Sequence, residues 1–186
     1  MNKVIATLLF AVLTGDSFAQ ETHSANRFEL EVDPIAYLLQ GYSAHGVYVY
    51  GRIRTDLGVF GITQPEGYGG NDGFQVKTRG FGVKVNYLLD ENERWFAGIG
   101  MGYSNNRITL QGTNETRNQN VFGVGIHAGY RWFVTENEVS AFRNLYLAPW
   151  CSVDYNHTVN DVSFTAKKYK QHPVSFFPTV HIGYRF

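Results

Sequence analysis

The segment Trp95-Phe96-Ala97-Gly98-Ile99-Gly100-Met101-Gly102-Tyr103-Ser104 alternates large or apolar side chains with positions that are mostly glycine. Such alternation indicates a β-strand, because successive side chains of a strand point to opposite faces of its sheet. A soluble sandwich covers one face with a core and the other with water, so it does not need repeated glycine on its second face. Glycine suits a crowded interior, and the segment predicts a strand whose apolar face points outward.

The same alternation recurs in other parts of the chain. Large apolar residues take most alternate positions at 28–32, 81–89, 122–132, 145–155 and 180–186, and the positions between them are mostly small, polar or charged. This pattern favours a transmembrane β-barrel, whose apolar face meets lipid while the other face fills a narrow lumen. Aromatic residues near strand ends then predict the two membrane boundaries. One boundary is expected at Tyr87, Trp95, Tyr130, Trp132, Tyr184 and Phe186, and the other at Phe122 and Tyr155.

The number and spacing of the strands fit such a barrel. Eight strands are predicted, at 27–34, 42–50, 53–62, 74–89, 95–110, 120–134, 143–157 and 172–186. A continuous strand through residues 48–53 would reduce the count to seven, but single-chain bacterial barrels have an even number of strands. Connections at 51–52, 90–94 and 135–142 are comparatively short and lie on the side of both termini, whereas those at 35–41, 62–73, 111–119 and 160–171 are mostly longer. The prediction is an all-β fold, an eight-stranded antiparallel up-and-down transmembrane β-barrel.

The N-terminal residues have the organisation of a secretory signal peptide. A basic start at Lys3, an apolar run at 4–13 and a small-x-small site at Ser17-Phe18-Ala19 follow one another. We expect a cleaved signal peptide at 1–19, a short periplasmic segment at 20–26 and the barrel at 27–186. The protein would then be exported to the outer membrane of a Gram-negative bacterium. The balance of 16 Lys and Arg against 16 Asp and Glu argues against a nucleic-acid partner.

The chain resembles the small outer-membrane β-barrels of the OmpA/OmpX type across residues 27–186. The most specific match is the C-terminal strand, which has apolar residues at alternate positions before a terminal aromatic. The matching residues are Val180, Ile182, Tyr184 and Phe186. The resemblance implies that this pattern is the assembly signal read by the barrel-assembly machinery, with Pro178 as a departure from it. It also implies a monomer surrounded by outer-membrane lipid and lipopolysaccharide.

Charged residues are predicted on the lumenal face, where an unpaired charge would be costly. We therefore expect a lumenal charge network with nearly equal numbers of acids and bases. Its members are Glu29, Glu31, Asp33, Arg54, Asp56, Lys84, His127, Arg131, Asp154, His181 and Arg185. Because an eight-stranded barrel is just wide enough for side chains to fill, the network predicts a plugged lumen with a structural or surface-interaction role. A very narrow channel is an alternative.

A lipid A-modifying enzyme, either an acyl hydrolase or an acyltransferase, is the second alternative. Ser152 and Asp154 are predicted to point inward on one strand, with His127 and His181 on its two neighbours, so that a nucleophile, a base and an acid would converge. No sequence motif of those enzymes lies at matching positions. The prediction is accordingly that the protein has no catalytic residues.

The remaining chemical signals are weaker. The glycines at 98–102 and 123–125 lack the spacing of a phosphate-binding loop. The histidines form no close ligand pair and Cys151 is the single cysteine, so we expect no metal and no cofactor. Lys167, Lys168 and Lys170 form a basic run in the last external loop, for which contact with lipopolysaccharide phosphates and simple solvation are the two interpretations.

Overall fold

The computed structural model describes residues 26–135 and 142–186. The predicted signal peptide, the segment at 20–25 and the middle of the 135–142 connection lie outside the described residues. The described strands are β1 (Arg27–Val32), β2 (Tyr42–Tyr50), β3 (Ile53–Thr63), β4 (Phe74–Leu88), β5 (Trp95–Leu110), β6 (Thr116–Tyr130), β7 (Trp132–Phe133), β8 (Leu145–Thr158) and β9 (Val174–Arg185).

These strands form one closed antiparallel ring. Each strand from β1 to β5 pairs with its successor, β6 and β7 both pair with β8, β8 pairs with β9, and β9 returns to β1. Because β7 follows β6 after a single residue and pairs with the same neighbour, the two strands share one place in the ring. The ring therefore has eight places, and the predicted all-β barrel is confirmed.

Outward and inward side chains differ as the alternation requires. Ile99 and Ile126 point outward and are 63% and 65% exposed, whereas the inward neighbour of Ile126 on β6, His127, is 7% exposed. On β4 the outward row contains Phe81, Val85 and Tyr87, which are all exposed. An apolar wall exposed on the outside of a closed ring is the arrangement of a barrel embedded in lipid. Among the described helical segments, none is long and apolar enough to cross a membrane.

The first external connection differs from the prediction. Strand β1 ends at Val32 rather than at residue 34, and the expected loop contains a short helix α1 (Pro34–Leu38). Asp33 caps this helix, because its Oδ1 accepts hydrogen bonds from the backbone N–H groups of Ile35 at 2.8 Å and Ala36 at 3.4 Å. Proline at the first helical position suits the helix start, since its missing N–H would have no intrahelical partner there.

Other strand ends shift by a few residues. Strand β6 begins at Thr116, four residues before the predicted start, and β8 and β9 each begin two residues later than predicted. The extension of β6 continues its pairing with β5, where the hydroxyls of Thr109 and Thr116 lie 3.0 Å apart. Strands β2 and β3 are separate, as predicted, because Gly51 adopts a positive φ of 59° in the turn between them. A 3-10 turn at Tyr68–Gly70 lies in the second external connection.

Candidate functional site in the barrel lumen

Glu29 occupies the centre of the periplasmic half of the lumen. The alternation of β1 turns it inward, and its side chain is fully buried. Its Oε1 accepts hydrogen bonds from Nη1 of Arg131 at 2.8 Å and Nε of Arg185 at 3.4 Å. Its Oε2 accepts from Nε of Arg54 at 3.2 Å and from the hydroxyl of Tyr146 at 2.9 Å. Four side chains from different parts of the ring thus converge on one carboxylate.

Glu31 lies two residues further along the same face of β1. Its Oε1 accepts hydrogen bonds from Nη2 of Arg54 and from the hydroxyl of Tyr146, the latter at 2.7 Å. Its Oε2 lies 2.9 Å from Nδ1 of His181. Arg54 and Tyr146 therefore join both glutamates into a single hydrogen-bonded group.

A second ionic group lies beside the first and is centred on Asp56. Lys84 is its direct cross-strand partner in the β3–β4 register, and Nζ of Lys84 lies 2.9 Å from Oδ2 of Asp56. Nδ1 of His45 lies 2.8 Å from Oδ1 of the same carboxylate. The Lys84 ammonium also sits 4.3 Å from the ring centre of Trp150, which is within the range of a cation–π contact.

The periplasmic end contains two further layers that sequence reasoning did not predict. Val47, Val49, Leu88 and Phe96 point inward and form a buried apolar cluster. Below it, Glu93 in the β4–β5 turn has its Oε1 2.5 Å from Nη2 of Arg27 and its Oε2 3.0 Å from Nη2 of Arg185. Its backbone oxygen also accepts from Nε of Arg131 at 2.7 Å. The turn is thereby tied to charged groups at the end of the barrel.

Asp33 and Asp154 lie apart from this group, in the outer half of the lumen. Besides capping α1, Asp33 accepts a hydrogen bond from the Thr179 hydroxyl at 2.7 Å. Asp154 accepts one from the Ser152 hydroxyl at 2.5 Å. Both aspartates line a cavity of about 280 Å³ between the ionic groups and the external loops. Their predicted inclusion in one network with Glu29 needs correction, because they sit further along their strands toward the outside.

The candidate catalytic residues are divided among separate contacts. Ser152 and His127 are cross-strand neighbours in the β6–β8 register, yet Ser152 donates to Asp154 while Nε2 of His127 lies 2.5 Å from Oδ1 of Asn86. His181 faces Glu31. Within the hydrogen bonds of the described side chains, the order of nucleophile, base and acid needed for acyl transfer does not occur. No group of three His, Cys, Asp or Glu arranged to hold a metal ion occurs in the parts of the chain that the structure describes.

The last external connection packs across the mouth of the barrel. Val162, Phe164 and Tyr169 from this connection are buried against inward residues at the outer ends of β4 and β5. The partners on those strands are Phe74, Val76, Ile108 and Leu110. Burial raises the pKa of the Tyr169 hydroxyl to about 12. Within the predicted basic run at 167–170, the side chain of Lys167 is held in place, because its Nζ donates a hydrogen bond to the backbone oxygen of Asp72 at 2.6 Å.

His45 and Tyr146 also contact the lumenal carboxylates, and the predicted network omitted both of them. The inward turn of His45 follows from the alternation of β2, in which Ser43, His45, Val47 and Val49 share the inner face. Tyr146 is on the inner face of the predicted strand at 143–157, but the contacts of its hydroxyl depend on the position of β1 in the closed ring. The alternation therefore predicts that both side chains point inward, but it does not predict their hydrogen-bond partners.

The closed ring with an apolar outer wall and a charged interior defines an outer-membrane β-barrel protein. A family model described as the autotransporter beta-domain matches residues 57–186, and the chain belongs to this family. The predicted resemblance to small outer-membrane barrels is confirmed for the class of protein, which is an outer-membrane β-barrel. No curated protein sequence matches the chain significantly.

Two solved structures are similar in fold. The crystal structure of Neisserial surface protein A has a TM-score of 0.48 and 13% sequence identity, and the match covers 86% of this chain and 94% of that one. A major outer membrane protein from Thermus thermophilus has a TM-score of 0.47 and 16% identity, with 87% of this chain and 100% of that one covered.

Proposed function

We propose that this protein is a monomeric outer-membrane barrel whose lumen is plugged by its own charged side chains, and that it serves a structural or surface-interaction role. The single observation that carries the proposal is the fully buried Glu29 carboxylate with its partners from β3, β8, β9 and the β6–β7 junction. Arg185 is the register partner of Glu29 on the adjacent strand β9, but Arg54, Arg131 and Tyr146 come from parts of the ring that do not pair with β1. These three contacts reach into the lumen and occupy the space that a conducting path would need.

The second ionic group supports the same conclusion. The side chain of Asp56 is almost fully buried, and it is paired with Lys84 and His45. Breaking a buried pair leaves an uncompensated charge and costs about 3–5 kcal/mol. A plug held by such pairs is therefore expected to persist rather than to open in thermal fluctuations.

Planar-bilayer recordings test the plug. The unmodified protein should show no steady conductance, whereas a stable open pore would contradict the proposal. A double variant, Glu29→Ala with Arg131→Ala, removes one cross-lumen pair without leaving either partner alone and should increase the frequency of conducting events. Asp154→Ala, which changes the outer cavity and not the plug, is the matched control and should remain silent.

We also propose that the barrel has no catalytic activity. The separate partners of Ser152, His127 and His181 support this proposal. Purified protein incubated with lipopolysaccharide should leave the mass of the lipid unchanged. A deacylated or acylated product that disappears in Ser152→Ala would replace this proposal with the lipid A-modifying enzyme.

We further propose export through a signal peptide cleaved after Ala19, followed by insertion through the barrel-assembly machinery. The apolar alternation that ends at Phe186 supports the second step, because Ile182 and Tyr184 lie on the outer face of β9. Intact-mass measurement of the membrane-extracted protein should give a chain that begins at Gln20. Removal of Phe186 should reduce insertion, and unchanged insertion would contradict the assembly signal.

A further inference from the structure

Three cations lie together on the outer wall of the barrel, at the external ends of β4 and β5. They are Lys77, Arg79 and Arg107, and all three are exposed. They share a shallow surface depression with the polar residues Asn105 and Asn118. This group, here called the rim patch, lies on the same outward face as the lipid-facing residues.

The rim patch places like charges next to each other. Lys77 and Arg107 are direct cross-strand partners in the β4–β5 register. Like charges in that position destabilise a sheet. None of the three cations forms an ion pair within residues 26–135 and 142–186. The acid that follows β5, Glu115, is already engaged by Arg117 at 2.8 Å and by the backbone N–H of Thr165 at 3.2 Å. Within the described residues, the charge of the patch is therefore not neutralised by an acid.

The height of the patch identifies the kind of ligand. Phe81, Tyr103 and Phe122 are register neighbours on β4, β5 and β6 and form an aromatic row at the outer boundary of the apolar wall. Arg79 lies two residues beyond this row, and Lys77 and Arg107 lie four residues beyond it. At about 3.4 Å per residue and a strand tilt of about 40°, these cations stand about 5 Å and 10 Å above the row. The head-group layer is about 5–8 Å thick on each side of a bilayer. The backbone of Arg79 therefore lies at the depth of the head groups, and Lys77 and Arg107 lie just outside them, with the head groups within reach of their long side chains.

We propose that the rim patch binds the phosphate of a phosphorylated lipid head group in the outer leaflet. Guanidinium groups bind phosphate oxygens in a bidentate manner, and Lys77 adds a point charge. The exposed Asn118 amide lines the same depression and can hydrogen bond to a sugar hydroxyl next to such a phosphate, whereas the amide nitrogen of Asn105 already donates to Oδ1 of Asn120 at 2.8 Å. This site differs from the basic run at 167–170, which belongs to the connection that packs across the barrel mouth.

The inference rests on the placement of the barrel in the membrane and is independent of the lumenal plug. The test uses purified protein in detergent with synthetic lipid A that carries two phosphates, or with its dephosphorylated form, and counts bound lipid by native mass spectrometry. The protein should retain the phosphorylated lipid at least about tenfold better, which corresponds to one or more charge-assisted hydrogen bonds. Equal retention of both lipids would overturn the proposal.

A triple variant, Lys77→Gln with Arg79→Gln and Arg107→Gln, should lose this preference. The matched control, Lys167→Gln with Lys168→Gln and Lys170→Gln, removes the same charge from the loop and should keep it. Retention by the triple variant, or equal loss in the control, would contradict the assignment. The three replaced positions of the rim patch are exposed, so the substitutions should not prevent folding. Heat-modifiable gel migration should therefore show folded barrels for both the triple variant and the control.

A second measurement separates ligand binding from a structural role. In micelles that contain no phosphorylated lipid, the triple variant relieves the repulsion between Lys77 and Arg107, so it should resist denaturant at least as well as the unmodified protein. Addition of phosphorylated lipid should stabilise the unmodified protein alone. Stabilisation of both proteins to the same extent would contradict the site. Bilayer conductance should be equally absent in both, whatever the result of the lipid test.

Discussion

Replacing Lys84 with methionine tests whether the lumenal ion pairs hold the barrel together. The side chain of Asp56 is 1% exposed and that of Lys84 is 17% exposed, so the variant leaves a carboxylate in a nearly dry site. Loss of one partner of a buried pair costs about 3–5 kcal/mol. We expect about 3 kcal/mol here, because His45 still faces the other oxygen of Asp56. Methionine retains an unbranched apolar side chain of similar length, which limits losses other than the ion pair and the cation–π contact with Trp150.

The assay is denaturant unfolding of the protein in lipid vesicles, followed by tryptophan fluorescence. The double variant Lys84→Met with Asp56→Asn removes both charges and should cost less than Lys84→Met alone, because replacing both partners leaves no buried charge unpaired. Gln75→Met, at an exposed outward position of the same strand, is the control and should have little effect. A single variant as stable as the control, or a double variant with the summed cost of both single changes, would refute the reasoning.

The outer wall, the lumenal glycines and the last external connection each allow a further test. Ile126→Arg should lower the free energy of unfolding in vesicles by about 2–4 kcal/mol because the side chain faces lipid, whereas Asn114→Arg in an exposed loop should change it little; equal costs would contradict the inside-out assignment. Gly98→Ala should cost about 1–3 kcal/mol, since a Cβ there would lie 2.1 Å from the Val85 backbone oxygen, while a Cβ at Gly46 meets nothing within 4 Å and Gly46→Ala should be nearly silent in the same assay. Because the pKa of Tyr169 is raised to about 12, the packing of its loop is fully stable below the unfolded pKa of about 10 and weakens as pH rises toward 12. Protease cleavage in the 159–173 connection should then increase over that interval in the unmodified protein and not in Tyr169→Phe, and pH-independent cleavage of the unmodified protein would count against this account.

The sequence was sufficient for the orientation of side chains along most strands. Alternation with a period of two assigns faces without any knowledge of the neighbouring strand, so Ile99 and Ile126 were correctly placed toward lipid. The signal for helix α1 was also present, since Asp33 followed by Pro34 is a helix start. A helix of five residues is too short to show a helical period, so periodicity alone predicts a loop between the two strands.

Contacts between distant parts of the chain could not be derived in this way. Three of the four partners of Glu29, which are Arg131, Tyr146 and Arg185, depend on ring closure through the β1–β9 pairing, and single-strand periodicity does not encode that pairing. The burial of Val162, Phe164 and Tyr169 depends on a long connection folding back over β4 and β5. The separation of Asp33 and Asp154 from Glu29 also depends on the register between strands, which the alternation along a single strand does not encode.

The central claim is that charged groups meet across the lumen and fill it. Its most direct test is a solid-state NMR distance measurement, in lipid bilayers, between the Glu29 carboxyl carbon and the Arg131 guanidinium nitrogens. The two side chains approach to 2.8 Å between Oε1 and Nη1, so a strong dipolar coupling between them is predicted. The total coupling of the Glu29 carboxyl carbon to guanidinium nitrogens should weaken in Arg131→Lys, where only Nε of Arg54 at 3.2 Å and Nε of Arg185 at 3.4 Å remain beside the carboxylate. A Glu29 carboxylate with no guanidinium nitrogen nearby in the unmodified protein would contradict the account.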